Sequence, residues 1–474
     1  MDALITLLDK IVWQYLLMYG LLCVGAYMTF ITGFIQFRRF GEFLRVIVAS
    51  PKETKNGITP FQALTISLAA RVGTGNLAGV AVAIYLGGAG AIFWMWIVAL
   101  VGMATAYAES TLAQLYKIKN HDGQYRGGPS FYMARAIGSR WMGVAFAILL
   151  LICFGLVFSA VQSNSIAHSM QDAFGVPELA SGVVIAIFTA VVIFGGIRNI
   201  ASVAEKVVPI MAGLYLLLGI GLLIYNIADV PAVLGLIIRS AFGLEEAVAG
   251  VSGGMLAALL NGVQRGLFSN EAGMGSAPNI AAVAVPEPHH PASQGMVQGL
   301  GVAIDTLIVS TCTAIIILLA APVDHGPNGL TGMVLTQESL RLHIGAIGPI
   351  FIAIAILFFA FTSILGNYSY AENAMEFLGL GEKAPLAILR IAVLGMVVWG
   401  SLQEVQTVFN IANLSMGLMA IINLVALVWL AATVKRLTQD YFAQRQAGKT
   451  PQFDIEQHPD IKKGVDAEIW HTGA

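Results

Sequence analysis

Apolar residues in this chain gather in long runs separated by short polar breaks. Eleven runs stand out, at roughly 12–35, 60–86, 90–116, 142–170, 178–196, 203–226, 248–284, 293–322, 346–371, 385–402 and 405–434. A helix crosses the ~30 Å of bilayer hydrocarbon in about 20 residues. The pattern therefore predicts eleven membrane-spanning helices, with the seventh run too long for one straight span. The stretch from Lys435 to Ala474 is polar, carries Pro451 and Pro459, and is expected to be a solvated extension.

Two runs are interrupted in the middle. The second holds Gly73-Thr74-Gly75-Asn76, with Gly79 one turn on; the seventh reads NGVQRGLFSNEAGMGSAPN over 261–279. Glycine and proline weaken a helix, and an open backbone in lipid is costly unless something satisfies it. Small residues also serve close helix packing. Packing does not call for the Thr74 and Asn76, or for the Asn261, Gln264, Ser269, Asn270 and Glu271, that accompany them. A break at Gly73–Asn76 frees the N-terminal amides of the helix half that follows, which suit a carboxylate. It also frees carbonyls near Ala69 and Val72, which suit a dehydrated monovalent cation. Without the first run, the remaining ten form two groups of five, each opening with a broken helix. Five is odd, so the groups lie inverted in the membrane, and matched interruptions in inverted halves point to a transporter's midplane site.

Composition agrees. Of 474 residues, 57% are hydrophobic and 11% charged, against about 25% charged in soluble domains, and mean hydropathy is +0.78. A soluble enzyme is excluded. A net charge of -2 argues against nucleic acid, which selects a basic stripe. Cys23, Cys153 and Cys312 all fall in apolar runs and form no disulfide framework. No HExxH, phosphate-binding loop or GxSxG string is present, so no catalytic residue is assigned. The first run is too long for a signal-peptide core, and Lys10 follows Asp2 and Asp9, so cleavage is not expected. Nineteen Lys and Arg lie in one alternate set of connections and in the tail, against three (Lys10, Arg239, Arg341) in the other. The positive-inside rule then puts the N-terminus outside and the C-terminus in the cytoplasm, which requires an odd number of spans.

GGAGAIFWMWIVALVGMA (87–104), RVGTGNLAG (71–79), GQYRGGPSFYMA (123–134) and the 261–279 string together resemble the alanine or glycine:cation symporter family, also called sodium:alanine symporters. The resemblance runs from about Gln36 to the end of the eleventh run. It implies an all-α membrane protein with a leucine-transporter-like five-plus-five inverted repeat. On that plan an extra N-terminal helix occupies 1–37. The first linker and repeat occupy 38–226, with the broken helix at 73–76. An external connection and the second repeat occupy 227–434, with the break at about 262–275, and a cytoplasmic tail occupies 435–474. It further implies sodium-coupled uptake of a small neutral amino acid, alanine or glycine, across a bacterial inner membrane. Sodium is cargo, and no resident cofactor is implied. Carried over residue by residue, Thr74, Gly75 and Asn76 look like the carboxylate end of the substrate site. Gln162 would hydrogen-bond the substrate; Phe158, four residues before it and on the same helix face, would pack against it; Phe268 would wall the pocket. Thr362 and Ser363 resemble the paired hydroxyls of a sodium site completed by the carbonyls of Ala69, Val72 and Phe359. Taken alone, such a Ser-Thr pair usually bonds its own preceding carbonyls, and Gln162 equally suits an interhelical hydrogen bond.

Arg71 stands out beside the break, where a guanidinium would repel sodium unless it is paired or turned away. It either snorkels inward or pairs with Glu109, Glu271 or Asp305; Glu271 and Arg265 equally suit a structural pair within the seventh run. His168 offers proton coupling as a competing mechanism, but reads better as an interfacial polar residue. His289 and His290 lie between prolines in a loop, with metal binding a weak possibility. A channel would need a continuous polar lining or charge rings, and a membrane enzyme a nucleophile–base pair or metal cluster; neither pattern is present.

Overall fold

The computed structural model describes residues 11–54, 57–120, 123–244, 254–320 and 329–471. Lys10, Lys55, the start of the seventh run (248–253) and the end of the eighth (321–322) lie outside them. Among the described residues the regular structure is helical, apart from a two-residue antiparallel hairpin pairing Ile118 with Arg126 and Lys119 with Tyr125, and a single bridge between Ile58 and Ala284.

Helix α1 (Ile11–Ile31) is followed by the short amphipathic α2 (Phe40–Val48). Then come the bent pair α3 (Pro60–Arg71) and α4 (Gly75–Gly87), and the long α5 (Gly90–Leu115). Next are α6 (Arg140–Phe174), α7 (Glu178–Ile193), α8 (Gly196–Tyr225) and the peripheral α9 (Val230–Ala241). The second half holds α10 (Gly254–Asn270), α11 (Pro291–Ala320), α12 (Gly332–Ile344), α13 (Ile347–Phe377), α14 (Lys383–Ser401) and α15 (Val405–Trp429). Helix α16 (Ala431–Gln446) and an irregular tail complete the chain. Among the described residues, eight helices are long and apolar enough to cross a membrane, or nine if α3 and α4 count as one span. The chain is a multi-pass membrane protein. The fifth run corresponds to α7, of 16 residues, and the described part of the seventh to α10, over Gly254–Asn270.

Local chemistry explains the element ends. Helix α3 opens on a reciprocal cap: the Gln62 amide donates to the Thr59 hydroxyl (3.1 Å), and the Thr59 amide to the Gln62 side chain (3.0 Å). Pro60 sits at the first position, where its missing N–H costs nothing. Helix α5 is central, packing against α1, α10 and α11, while α3 packs on α8 and α13. Helices α7 and α8 expose aliphatic and aromatic faces (Ile187, Phe188, Val191; Leu214, Leu217, Ile224), as lipid contact requires.

Two expectations need correcting. The second break, expected at about 262–275, does not reach back to Gly262 and Gly266: α10 winds through both and ends at Asn270. Those glycines serve packing, since a Cβ at Gly262 would lie 2.4 Å from the Ala91 carbonyl and one at Gly266 3.3 Å from the Met95 Cα. The chain opens instead at Glu271–Ala277. The tail is likewise not a solvated extension. Phe453, Ile455 and Trp470 are fully buried, the Trp470 indole donates to the Leu115 carbonyl at 3.1 Å, and the Phe453 amide donates to the His289 carbonyl at 2.9 Å. A few spaced apolar residues in a polar string are enough to seat it.

His289 and His290 hold this tail rather than a metal. His289 lies against the Trp470 ring (4.9 Å), and no group of three metal-capable side chains occurs among the described residues. His290 Nδ1 accepts the Ala292 amide (3.1 Å), which leaves Nε2 to donate to Asp440 (3.2 Å). His458, His289 and the rings of Tyr441 and Phe453 also face it. Burial pushes the His290 pKa below its usual 6.5, against the opposing pull of Asp440, and Asp440 is itself held below the ordinary carboxylate value by its bond to His290. A lowered histidine pKa means the unfolded chain binds the proton better, so this contribution is complete above 6.5 and falls away as pH drops below it. Protonation would also set an N–H against the Ala292 amide. Hydrogen exchange of residues 453–470, corrected for intrinsic rate, should therefore be faster at about pH 5.5 than at about pH 7.5. Equal protection at both would reject the latch.

Candidate functional site

Helix α3 ends at Arg71, and α4 leaves at 52° to it. Val72 departs from helical geometry (φ -75°, ψ 87°), so the carbonyls of the last α3 turn lose their usual partners. Ser363 on α13 meets them: its hydroxyl lies 2.7 Å from the Ala69 carbonyl, 3.5 Å from that of Val72 and 2.9 Å from that of Phe359. Thr362 reaches the Phe359 carbonyl at 3.0 Å. The carbonyls of Ala69, Val72 and Phe359 thus converge on the Ser363 hydroxyl, and Thr362 joins them through Phe359. The bonds of both hydroxyls to Phe359 are the ordinary backward bonds of a Ser-Thr pair in a helix. The approach depends on Gly73, where a Cβ would come within 2.5 Å of the Ser363 hydroxyl and 2.7 Å of the Gln162 side-chain oxygen.

The amide side of the break is also engaged. Gln162 on α6 accepts the Thr74 N–H at 3.1 Å, so it serves as an interhelical bond at the very place expected for a substrate contact. The hydroxyls of Thr74 and Ser163 are buried beside it without a partner among the described residues. Asn76 is more committed than the sequence suggested. Its oxygen accepts the Gly73 amide (3.1 Å), and its nitrogen donates to the Asp305 carbonyl and carboxylate (3.0 and 2.9 Å) and to Ser310 (3.0 Å). Ser269 and Thr306 each donate to the other Asp305 oxygen at 2.8 Å. Asn76 therefore ties α4 to α10 and α11. Asp305 was weighed only as a partner for Arg71; its role here could have been suspected from an acid among Ser and Thr in an apolar run.

Phe158 and Phe268 meet as expected, stacked at 4.8 Å. They belong to a column that continues to Phe409 (5.4 Å) on one side and Phe154 (4.7 Å) on the other. Phe268 also lies 3.3 Å from where a Gly75 Cβ would stand. Above the column, on the face away from the tail, a cavity of about 450 Å³ opens between Ala78, Tyr85, Ser165, His168, Arg265 and Phe409. Arg265 covers the rings of Phe268 and Phe409 at 5.9 and 5.6 Å. His168 sits at the rim, 3.1 Å from Glu178. Residues 75–79, 151–158 and 303–310 wind as π-helix, a widening common at functional sites.

The second break is held by α5. Glu109 accepts the amides of Gly273 (3.4 Å) and Gly275 (3.1 Å) and the Asn423 side chain (2.8 Å). Glu271 stands at φ 58° and takes the Ser276 hydroxyl at 2.6 Å. Arg71 is buried and donates to the Gln298 carbonyl at 3.3 Å. It makes no ion-pair contact among the described residues, but its charge acts favourably on Glu109, Glu271 and Asp305 alike.

Two opened helices held inside a lipid-exposed helical bundle are the arrangement of a membrane transporter. Superposition on the crystal structure of MhsT in complex with L-phenylalanine gives a TM-score of 0.52 at 16% identity, covering 81% of this chain and 99% of that one, so the two share a fold. The profile described as the sodium:alanine symporter family matches residues 1–455, and the chain belongs to that family. It is 46% identical over 470 residues to the amino-acid carrier protein AlsT of Bacillus subtilis, covering 99% of this chain and 97% of the relative. It is 45% identical over 454 residues to the probable sodium/glutamine symporter GlnT of the same organism, covering 96% and 93%.

An unsatisfied buried polar group costs about 1–3 kcal/mol. Glu109→Ala strands three donors at once, so its thermal unfolding midpoint in detergent should fall well below that of wild type, with Glu109→Gln between the two. An Ala variant as stable as wild type would remove Glu109 from this role.

Proposed function

We propose that the protein carries a small neutral amino acid, alanine or glycine, into the cell together with sodium, by alternating access. The observation that carries this reading is the α3–α4 break. Freed carbonyls with the Ser363 hydroxyl stand on one side of it, and freed amides with Gln162 on the other, within a single turn of chain. Sodium takes the oxygens of Ala69, Val72, Phe359, Thr362 and Ser363. The substrate carboxylate takes the amides at Thr74 and Gly75, displacing the Gln162 oxygen, which is then free to receive the substrate's ammonium group. The two opposite charges lie a few ångströms apart, so each lowers the cost of burying the other. Asn76 acts by holding the amides in place through Asp305. The phenylalanine column, with Phe158 and Phe268 beside Gly75, leaves room for a hydrogen or methyl side chain.

The arginine and lysine asymmetry supports an external N-terminus and a cytoplasmic tail. The likeness to MhsT supports counting α7 and α10 as spans and reading 38–226 and 227–434 as inverted repeats. The cavity beside His168 is then the periplasmic vestibule, closed from the site by Arg265, Phe268 and Phe409. Rocking of the broken helices against the rest opens the opposite side.

The test is radiolabelled uptake into proteoliposomes with a panel of alanine, glycine, serine and glutamine. Uptake should follow an inward sodium gradient, favour alanine and glycine, and be absent with a proton gradient alone. Glutamine as the preferred substrate, or uptake driven by protons alone, would overturn the reading. Ser363→Ala should raise the sodium concentration for half-maximal uptake by about tenfold, equivalent to one ligand worth roughly 1.4 kcal/mol. Gln162→Ala should abolish alanine uptake in protein that still inserts. Unchanged sodium dependence in the first would remove Ser363 from the ion site, and near-normal transport in the second would remove Gln162 from the substrate site.

A further inference from the structure

A second cavity, of about 530 Å³, lies far from the transport site, between α2 and the end of α16. Its walls carry Arg38, Arg39, Arg45 and Arg445, with Glu42 and Phe442. Glu42 is shared: it takes Arg45 (3.0 Å), Arg445 (2.8 Å) and the Tyr441 hydroxyl (3.0 Å). Arg38 and Arg39 have no carboxylate partner among the described residues and rest instead on the rings of Phe34 (5.8 Å) and Phe442 (4.9 Å). Four guanidinium groups thus face one carboxylate, and aromatic faces hold two of them without consuming their hydrogen-bond donors.

The cavity lies beyond the end of an apolar helix. Arg38 closes the short helix Ile35–Arg38, seven residues after α1 terminates at Ile31. Helix α16 packs along α5, where Thr433 pairs with Tyr116 and Thr438 with Tyr107 at 2.8 Å. Phe442 and Arg445 thereby meet Arg39 and Glu42 in the segment that follows α1. Helix α2 buries Phe43 and Val46 against the protein but leaves a second apolar stripe, Phe40, Leu44 and Val48, facing outward, with Val48 84% exposed. These positions are four apart and lie on one helix face. An apolar stripe in line with a cluster of arginines matches a molecule that is itself acyl chain at one end and phosphate at the other.

We propose that this cavity binds the phosphate headgroup of an anionic membrane phospholipid, with the acyl chains lying along Phe40, Leu44 and Val48. Arginine forks fit phosphate oxygens in pairs, and basic pockets at the boundary between membrane helices favour anionic headgroups. The bound lipid bridges α2, which leads into the broken helix, and α16, which carries the tail, by neutralising arginines from both.

Native mass spectrometry of the full-length protein, released from mixed micelles of phosphatidylglycerol and phosphatidylcholine, tests this directly. Each arginine at such a surface is worth about fivefold in affinity. Wild type should retain phosphatidylglycerol over phosphatidylcholine by at least that factor, and the double variant Arg38→Gln with Arg39→Gln should bring the ratio close to one. Retained phosphatidylcholine serves as the check that the variant is folded. Arg45→Gln, at a solvent-facing position, should give a smaller loss in the same direction. Equal retention of both lipids by wild type, or undiminished selectivity in the double variant, would overturn the proposal. So would displacement of phosphatidylglycerol by inorganic phosphate alone, which would mark a soluble-anion site.

Discussion

A backbone opened inside lipid must find every partner for its N–H and C=O groups within the protein, because each one left bare costs several kcal/mol. Among the described residues the backbone opens twice inside the bundle, and several buried polar side chains answer that constraint. At the α3–α4 break, Ser363 meets the carbonyls, and Gln162 and Asn76 meet the amides. At 271–277, Glu109 and Asn423 do the same work for Gly273 and Gly275. The partners come from α5, α6, α13 and α15, so each break fixes helices far apart in sequence to one centre.

The two breaks are not equivalent. A carboxylate fixed on α5 closes the second, and Asn423 bonds both Glu109 and the Gly273 carbonyl. That is a permanent closure. The first is closed by a hydroxyl and a primary amide, groups that exchange one partner for another at little net cost, since a neutral hydrogen bond contributes only about 1 kcal/mol. The first break is therefore the one whose partners are suited to be exchanged for ligands on the proposed reading, and the difference follows from side-chain type alone.

Much of this was legible in the sequence. Apolar runs mark helices, and glycines with amides mark both breaks. Residues singled out on the family resemblance lie close together: Ser363 and Gln162 meet at Gly73, and Phe158 stacks on Phe268 beside Gly75. What the sequence hid has identifiable causes. Gly262 and Gly266 look like helix breakers but are packing contacts, because a neighbouring backbone, unseen in a linear string, approaches them closely. Asn76 carries a binding residue's chemistry but spends it on Asp305, more than two hundred positions away. The tail's composition is polar, and only the places of Phe453, Ile455 and Trp470 decide that it folds back.

Arg71 poses the remaining electrostatic question, since a guanidinium one residue from Val72 and two from Ala69 would oppose sodium at the proposed ion site. Helix geometry separates them. Ala69 faces Ser363 on α13, whereas Arg71 extends to the Gln298 carbonyl and lies against Gly301 on α11. Gly301 is needed there, because a Cβ would fall 2.4 Å from the guanidinium. On that flank three carboxyl groups, Glu109, Glu271 and Asp305, share its field, and no contact ion pair locks it to any one of them. A charge spread over three acids balances them without demanding the geometry of a single buried pair, whose desolvation often exceeds its Coulomb gain. Arg71 thus acts as the fixed countercharge that lets acids from α5, α10 and α11 be buried beside two broken helices. The carbonyls of Ala69 and Val72, which the proposed reading gives to the mobile cation, lie on the opposite flank with Ser363.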